Sequence, residues 1–167
     1  MKKLREAFEG QFISRKIDFK KKPRWHLDRV PSEPGWYYLE TTAPVSVLRS
    51  VGNPKEKKNY NIPKKIKGSS YLAANKLAIK QIKEKPYVVY SGEANNLKNR
   101  AREHSFGGNG TACLAIGKYS VLKKYDWYFS YFTCTSYMAD SDGDKCLRNL
   151  GEQVWRAHYG WPILCSK

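Results

Sequence analysis

A strand that runs through a glycine into a helix is the feature that most limits how this chain can fold. Tyr87-Val88-Val89-Tyr90 is a row of aromatic and β-branched residues, which predicts a strand. Gly92 predicts its break, and a helix from about Glu93 to Phe106 follows, closed by Gly107-Gly108-Asn109-Gly110. Arg100 and His104 are four residues apart and share one face of that helix. Tyr90 stands ten residues before Arg100. A phenol, a guanidinium and an imidazole are thus tied to one short segment. Arginine can grip two phosphate oxygens at once, and histidine can hydrogen-bond a phosphate, a phenol or a water. The trio suits chemistry on a phosphate ester.

The other elements fall around this segment. Pro31 and Pro34 lead into a strand from Gly35 to Thr41, and Asp126 to Thr133 is the strongest strand pattern in the chain. A last helix is expected from an N-cap at Asp144 to about Tyr159, with Leu147, Leu150 and Val154 on one face and Gly160 and Pro162 as its stop. Residues 52–68 read as a charged loop or an irregular insertion. Ser69-Ser70 would cap a helix running to about Lys85, apolar along Leu72, Leu77 and Ile82 and basic along Lys76, Lys80 and Lys83. Residues 118–124 read as partly helical. Residues 1–30 read as a basic arm, with a short amphipathic helix over Glu6, Phe8, Phe12 and Ile13. The order strand, insertion, strand, helix, strand, helix predicts an α/β sandwich of the α+β kind: a small, mostly antiparallel sheet flanked by helices. One domain spans 31–167, with a lysine-rich insertion at 52–85.

The 167 residues carry a formal charge of +16, with 31 Lys and Arg against 15 Asp and Glu. That excess implies a polyanionic partner, and nucleic acid fits it better than a membrane surface. No run approaches the roughly 18 apolar residues of a membrane span, and the N-terminus lacks the apolar stretch of a signal peptide. A cytoplasmic protein is the expectation. Cys113, Cys134, Cys146 and Cys165 are too scattered for a zinc-finger pair and read as reduced, packed side chains.

Two more residue types complete a candidate site. Tyr37 lies in the first aromatic strand, as Tyr90 lies in the second; most of the 12 tyrosines must be structural, and either could be. Glu152 sits among apolar neighbours on the last helix. Alone it is a helix-surface carboxylate, but a hard divalent cation can be held by one carboxylate when phosphate and water complete its shell. Lys57, Lys58, Lys64, Lys65, Lys67, Lys76, Lys80 and Arg102 are the candidate phosphate contacts. Asn59, Asn61, Asn75 and Gln81 are candidates for reading base edges.

Taken together, Gly35-Trp36-Tyr37, Tyr90-Ser91-Gly92 and Asn96-Leu97-Lys98-Asn99-Arg100 resemble the GIY-YIG nuclease superfamily. Serine stands where the family usually has isoleucine or valine. The resemblance covers roughly 34–41, 87–106 and 147–162. It implies a metal-dependent DNA endonuclease, compact and restriction-enzyme-like, with a repair or phage-defence nuclease of the same family as the alternative. It implies that Tyr37 or Tyr90 is the general base, that Arg100 stabilises the phosphate, that His104 assists, and that Glu152 holds one Mg2+ or Mn2+. Double-stranded DNA would be the substrate, and cutting both strands would call for a homodimer or two successive nicks. Two departures stand out. The gap from Tyr37 to Tyr90 is long because the insertion lies in it, and Cys165 takes the place of an asparagine after proline. The rival reading from another class is a non-catalytic nucleic-acid-binding protein.

Overall fold

The computed structural model describes residues 12–20, 27–54, 56–108, 112–134 and 143–165. Four antiparallel strands form one sheet: β1 (Ile13–Lys16), β2 (Gly35–Thr41), β3 (Tyr87–Ala94) and β4 (Trp127–Thr133), in the order β1-β4-β2-β3. Among the described residues, five helices accompany it: α1 (Val45–Ser50), α2 (Ile62–Gly68), α3 (Ser70–Ala74), α4 (Leu97–Phe106) and α5 (Gly143–Tyr159). Short 3-10 turns cover Leu27–Arg29, Ile116–Lys118 and Leu122–Lys124. This is the expected α+β fold, a small antiparallel sheet flanked by helices. No helix among the described residues is long and apolar enough to cross a membrane.

Alternation along β2 decides which side chains meet which layer. Tyr37 and Leu39 face the main core with Tyr90, Phe129 and Tyr131, and α4 packs there through Leu97 and Ala101. Trp36 and Tyr38 face the other way, toward a second cluster with Phe132 and Trp155 of α5. The β2–β3 register slips between Leu39 and Glu40, so that Tyr90 pairs with Leu39 and Val88 with Glu40. The extra residue, Val89, is a bulge. It lets Tyr87 and Tyr90, three apart, share the face of Thr41 and Leu39, which are two apart.

Several sequence expectations are corrected. Gly92 does not end the second strand, which continues to Ala94. Tyr37, its cross-strand partner, lays its ring over the glycine, so the missing side chain is covered and the strand persists. Helix α4 accordingly starts at Leu97 rather than Glu93, capped by the Asn96 side chain on the Asn99 N–H. The helix expected over 70–85 stops at Ala74. Lys76 has a φ of 59°, and 77–79 pairs instead with Trp161. Part of the supposed loop is helix α2, capped by Asn61, with Ile62 and Ile66 in the core. Ile13 belongs to strand β1, not to an amphipathic helix; the rest of that proposed helix, 6–11, lies outside the described residues. Residues 118–124 hold one short 3-10 turn, Leu122–Lys124, and the last residue of another, Ile116–Lys118.

Of the three apolar residues on one face of helix α5, Val154 packs against the second cluster while the leucines do not. Leu147 and Leu150 are 41% and 46% exposed, while Arg148, Trp155 and Arg156 are buried. Gly151 explains the orientation. A Cβ there would come within 2.5 Å of the Trp36 indole, so the glycine face alone can lie against the sheet. The buried arginines are matched by carboxylates: Arg148 Nε bonds Glu93 at 2.7 Å, and Arg156 bonds Glu152 one turn back. The helix begins at Gly143, so Asp144 lies inside it rather than at an N-cap.

Candidate active site

Tyr37, Tyr90, Arg100 and His104 converge on the α4 side of the sheet. The Tyr37 hydroxyl is 2.9 Å from Arg100 Nε and 2.9 Å from His104 Nε2. Its ring lies 5.4 Å from the imidazole and stacks 6.2 Å from Tyr90. Tyr90 is in turn 4.8 Å from the imidazole. The strand register and the helix turn together produce this grouping: Tyr37 and Tyr90 share a sheet face, and Arg100 and His104 share the helix face packed on it.

The protonation pattern follows from the backbone. His104 is fully buried, and its Nδ1 accepts the Leu114 N–H at 3.3 Å. An acceptor nitrogen carries no proton, so the neutral ring bears its hydrogen on Nε2. Burial, then the Arg100 charge, hold His104 well below its ordinary value, which keeps it neutral. Nε2–H therefore donates to Tyr37, and so does Arg100 Nε–H. Two donors, one of them charged, meet one phenol oxygen. Burial pushes the Tyr37 phenol up, and Arg100 pulls it down.

Tyr90 is arranged differently. Its hydroxyl donates to the Tyr60 oxygen at 3.4 Å, and burial followed by the Tyr37 and Tyr60 phenols push its pKa well above the ordinary value. The two tyrosines are thus unlike: Tyr37 receives hydrogen bonds, while Tyr90 gives one away. Tyr60 comes from the lysine-rich insertion, which sequence spacing gave no reason to place here. Lys65 covers its ring at 4.1 Å. Glu103, also overlooked, binds Arg100 Nη1 at 2.9 Å and fixes the guanidinium from the other side. Its i,i+3 spacing from Arg100 was the available signal.

Glu152 lies on α5, across the sheet from α4, yet close enough to share the site's electrostatics. Burial raises its carboxyl above the ordinary value, Arg156 lowers it, Glu93 raises it and Arg100 lowers it. Its charge in turn disfavours ionisation of Tyr37. Arg156 takes Oε1 and also bonds the Ser91 hydroxyl at 3.0 Å and the Ser91 carbonyl at 3.2 Å. Ser91 further receives Cys165 Sγ, which accepts its N–H at 3.2 Å. A buried arginine needs acceptors, which explains a serine in place of an apolar residue. Cys165 fills its position as a backbone partner.

No group of three or more His, Cys, Asp or Glu suited to a metal forms among the described residues. A single half-buried carboxylate, with one oxygen bonded to Arg156, does suit a hydrated hard cation, which keeps most of its waters.

The basic candidates spread over the insertion and α4. Lys57, Lys58, Lys64, Lys67, Lys76, Lys80 and Arg102 are exposed, whereas Lys65 is half-buried against Tyr60. The amide candidates make contacts within the protein. Asn59 is buried with Cys113, Asn61 caps α2, Asn75 bonds the Tyr71 carbonyl, and Gln81 accepts the Val45 N–H. Asn61 and Asn75 bond local backbone groups, as short polar side chains in turns commonly do, whereas Asn59 and Gln81 hold contacts distant in sequence. No family model matches the chain, and no curated protein or solved structure matches it at a significant level.

Proposed function

We propose that this protein is a metal-dependent endonuclease that hydrolyses phosphodiester bonds in DNA, of the GIY-YIG kind that its segments resemble. The observation that carries the reading is the Tyr37 hydroxyl, held at 2.9 Å by both Arg100 Nε and His104 Nε2. A phenol whose oxygen accepts two hydrogen bonds has its own proton directed elsewhere, and the two donors offset part of the burial that disfavours its anion. Tyr37 is therefore the general base, taking a proton from the attacking water. Tyr90, whose proton is committed to Tyr60, orients the water or the phosphate. Arg100, clamped by Glu103, presents its charge to the phosphate oxygens. Glu152 would hold one Mg2+ or Mn2+ through its carboxylate. When bound, the ion would neutralise charge on the leaving oxygen. The exposed lysines of the insertion supply phosphate contacts.

A supercoiled plasmid incubated with protein and Mg2+ tests this. Wild type nicks, while Arg100→Ala and Glu152→Ala bind the plasmid but lose at least a hundredfold in rate. Binding without nicking by the wild type would leave the rival reading, a nucleic-acid-binding protein without catalysis. Open circles followed by linear molecules would report successive nicks, and linear product from the outset a dimer.

A further inference from the structure

We propose that a second nucleic-acid subsite, specific for single strands, lies in the groove between residues 16–20 and residues 123–126; it rests on the reading of this protein as one that binds nucleic acid. The groove encloses about 470 Å³. It is lined by Lys16, Lys20, Lys123 and Lys124, by Asp18 and Asp126, and by the rings of Phe19 and Tyr125. Both carboxylates are already engaged: Asp126 pairs with Lys16 at 2.6 Å, and Asp18 accepts the Lys20 backbone N–H at 2.8 Å. Among the described residues, no ion pair is recorded for the ammonium groups of Lys20, Lys123 or Lys124, all of which are exposed. Three cations thus border a groove whose half-exposed floor is aromatic.

That combination suits one ligand chemistry. Lysines track a phosphate backbone, and aromatic rings stack on bases that have left a duplex. The volume corresponds to about fifteen waters, which is room for a nucleotide or two and not for a double helix. The groove is also placed to serve the candidate active site. The Phe19 ring meets that of Phe106, the last residue of α4, edge-on at 6.3 Å. Arg100 lies six residues earlier on the same helix, about 9 Å along its axis. The groove is thus joined through Phe19 and Phe106 to the helix that carries Arg100. The substrate this predicts is a duplex frayed or single-stranded on one flank of the scissile bond.

Salt dependence separates this subsite from the insertion. Fluorescence anisotropy without divalent metal measures the affinity of a mixed-sequence 20-mer, single-stranded and as a duplex, across a KCl series. The triple variant Lys20→Gln, Lys123→Gln, Lys124→Gln is expected to reduce the single-strand slope of log K against log salt by about two, since each lost contact removes about 0.7. Its duplex slope should stay near that of the wild type. Tyr125→Leu should weaken single-strand binding about tenfold with its slope intact. A single-strand slope unchanged in the triple variant, or a duplex slope reduced as much as the single-strand one, overturns the subsite. Because no cleavage is involved, a wild type that fails to nick but passes this test loses the catalytic reading alone. A wild type that nicks while the triple variant binds unchanged loses the groove alone.

Discussion

Gly92→Ala is the sharpest perturbation the structure offers, because the methyl would occupy the place of the Tyr37 phenol. An added Cβ would lie 2.5 Å from the hydroxyl oxygen, 2.7 Å from Cζ and 3.0 Å from Cε1. Ordinary contact begins near 3.4 Å, so the oxygen must retreat by roughly 0.9 Å. The ring has little freedom to yield, packed as it is against Phe129 at 5.2 Å and His104 at 5.4 Å. A retreat of that size strains or breaks the two 2.9 Å hydrogen bonds that define the site. Overpacking and lost bonds together should cost about 2–4 kcal/mol, which for a chain of this size lowers Tm by about 5–15 °C. A reacting group displaced by nearly an ångström should lose about a hundredfold in rate. Thermal melts and single-turnover plasmid nicking, run well below the variant's Tm, measure both. Gly52→Ala is the control: nothing lies within 4 Å of its added Cβ, and both quantities should match the wild type. Adding Tyr37→Phe to Gly92→Ala removes the clashing oxygen and should restore part of the lost stability without restoring rate. Wild-type melting and wild-type nicking by Gly92→Ala would falsify the placement of Tyr37 over the glycine.

Three further outcomes follow from the same geometry. Tyr37→Phe should abolish nicking, whereas Tyr90→Phe and Tyr60→Phe should each cost only about tenfold in single-turnover rate; equal losses at Tyr37 and Tyr90 would contradict the assignment of the base. Since burial sets the Tyr37 pKa above its ordinary value, the rate should climb about tenfold per pH unit through the neutral and mildly alkaline range, and a plateau below pH 8 would exclude Tyr37 as the group that titrates. His104 is held neutral in the folded protein, while the unfolded chain takes up its proton near pH 6.5. Stability should therefore decline as pH falls below that value, and His104→Gln, read by urea melts at pH 5 and pH 7, should flatten the decline.

The residues that were legible in sequence are those whose geometry is local. The four-residue step from Arg100 to His104 is a property of any helix, and the aromatic run at 35–41 alternates whatever it packs against. Those two facts sufficed to bring Tyr37, Arg100 and His104 together once the strands paired. What escaped was set by contacts distant in sequence. The reach of Tyr60 to Tyr90 depends on how the insertion folds back, and no periodicity between 52 and 68 records it. Strand β3 outlasts Gly92 only because a tyrosine 55 residues earlier covers it, as their cross-strand pairing shows. Apolar periodicity places Leu147, Leu150 and Val154 on one face of helix α5, and apolar periodicity normally marks the buried face. Here one glycine against one indole outweighs two leucines. Close approach at Gly151 determines the rotation of the helix, and the buried arginines then require Glu93 and Glu152 as partners. The consequence is functional. With Leu147 and Leu150 inward, the helix would be turned and Glu152 carried away from Arg100 and Tyr37. That face, which joins Trp155 to two buried ion pairs, is the one that holds a carboxylate within the field of the candidate active site.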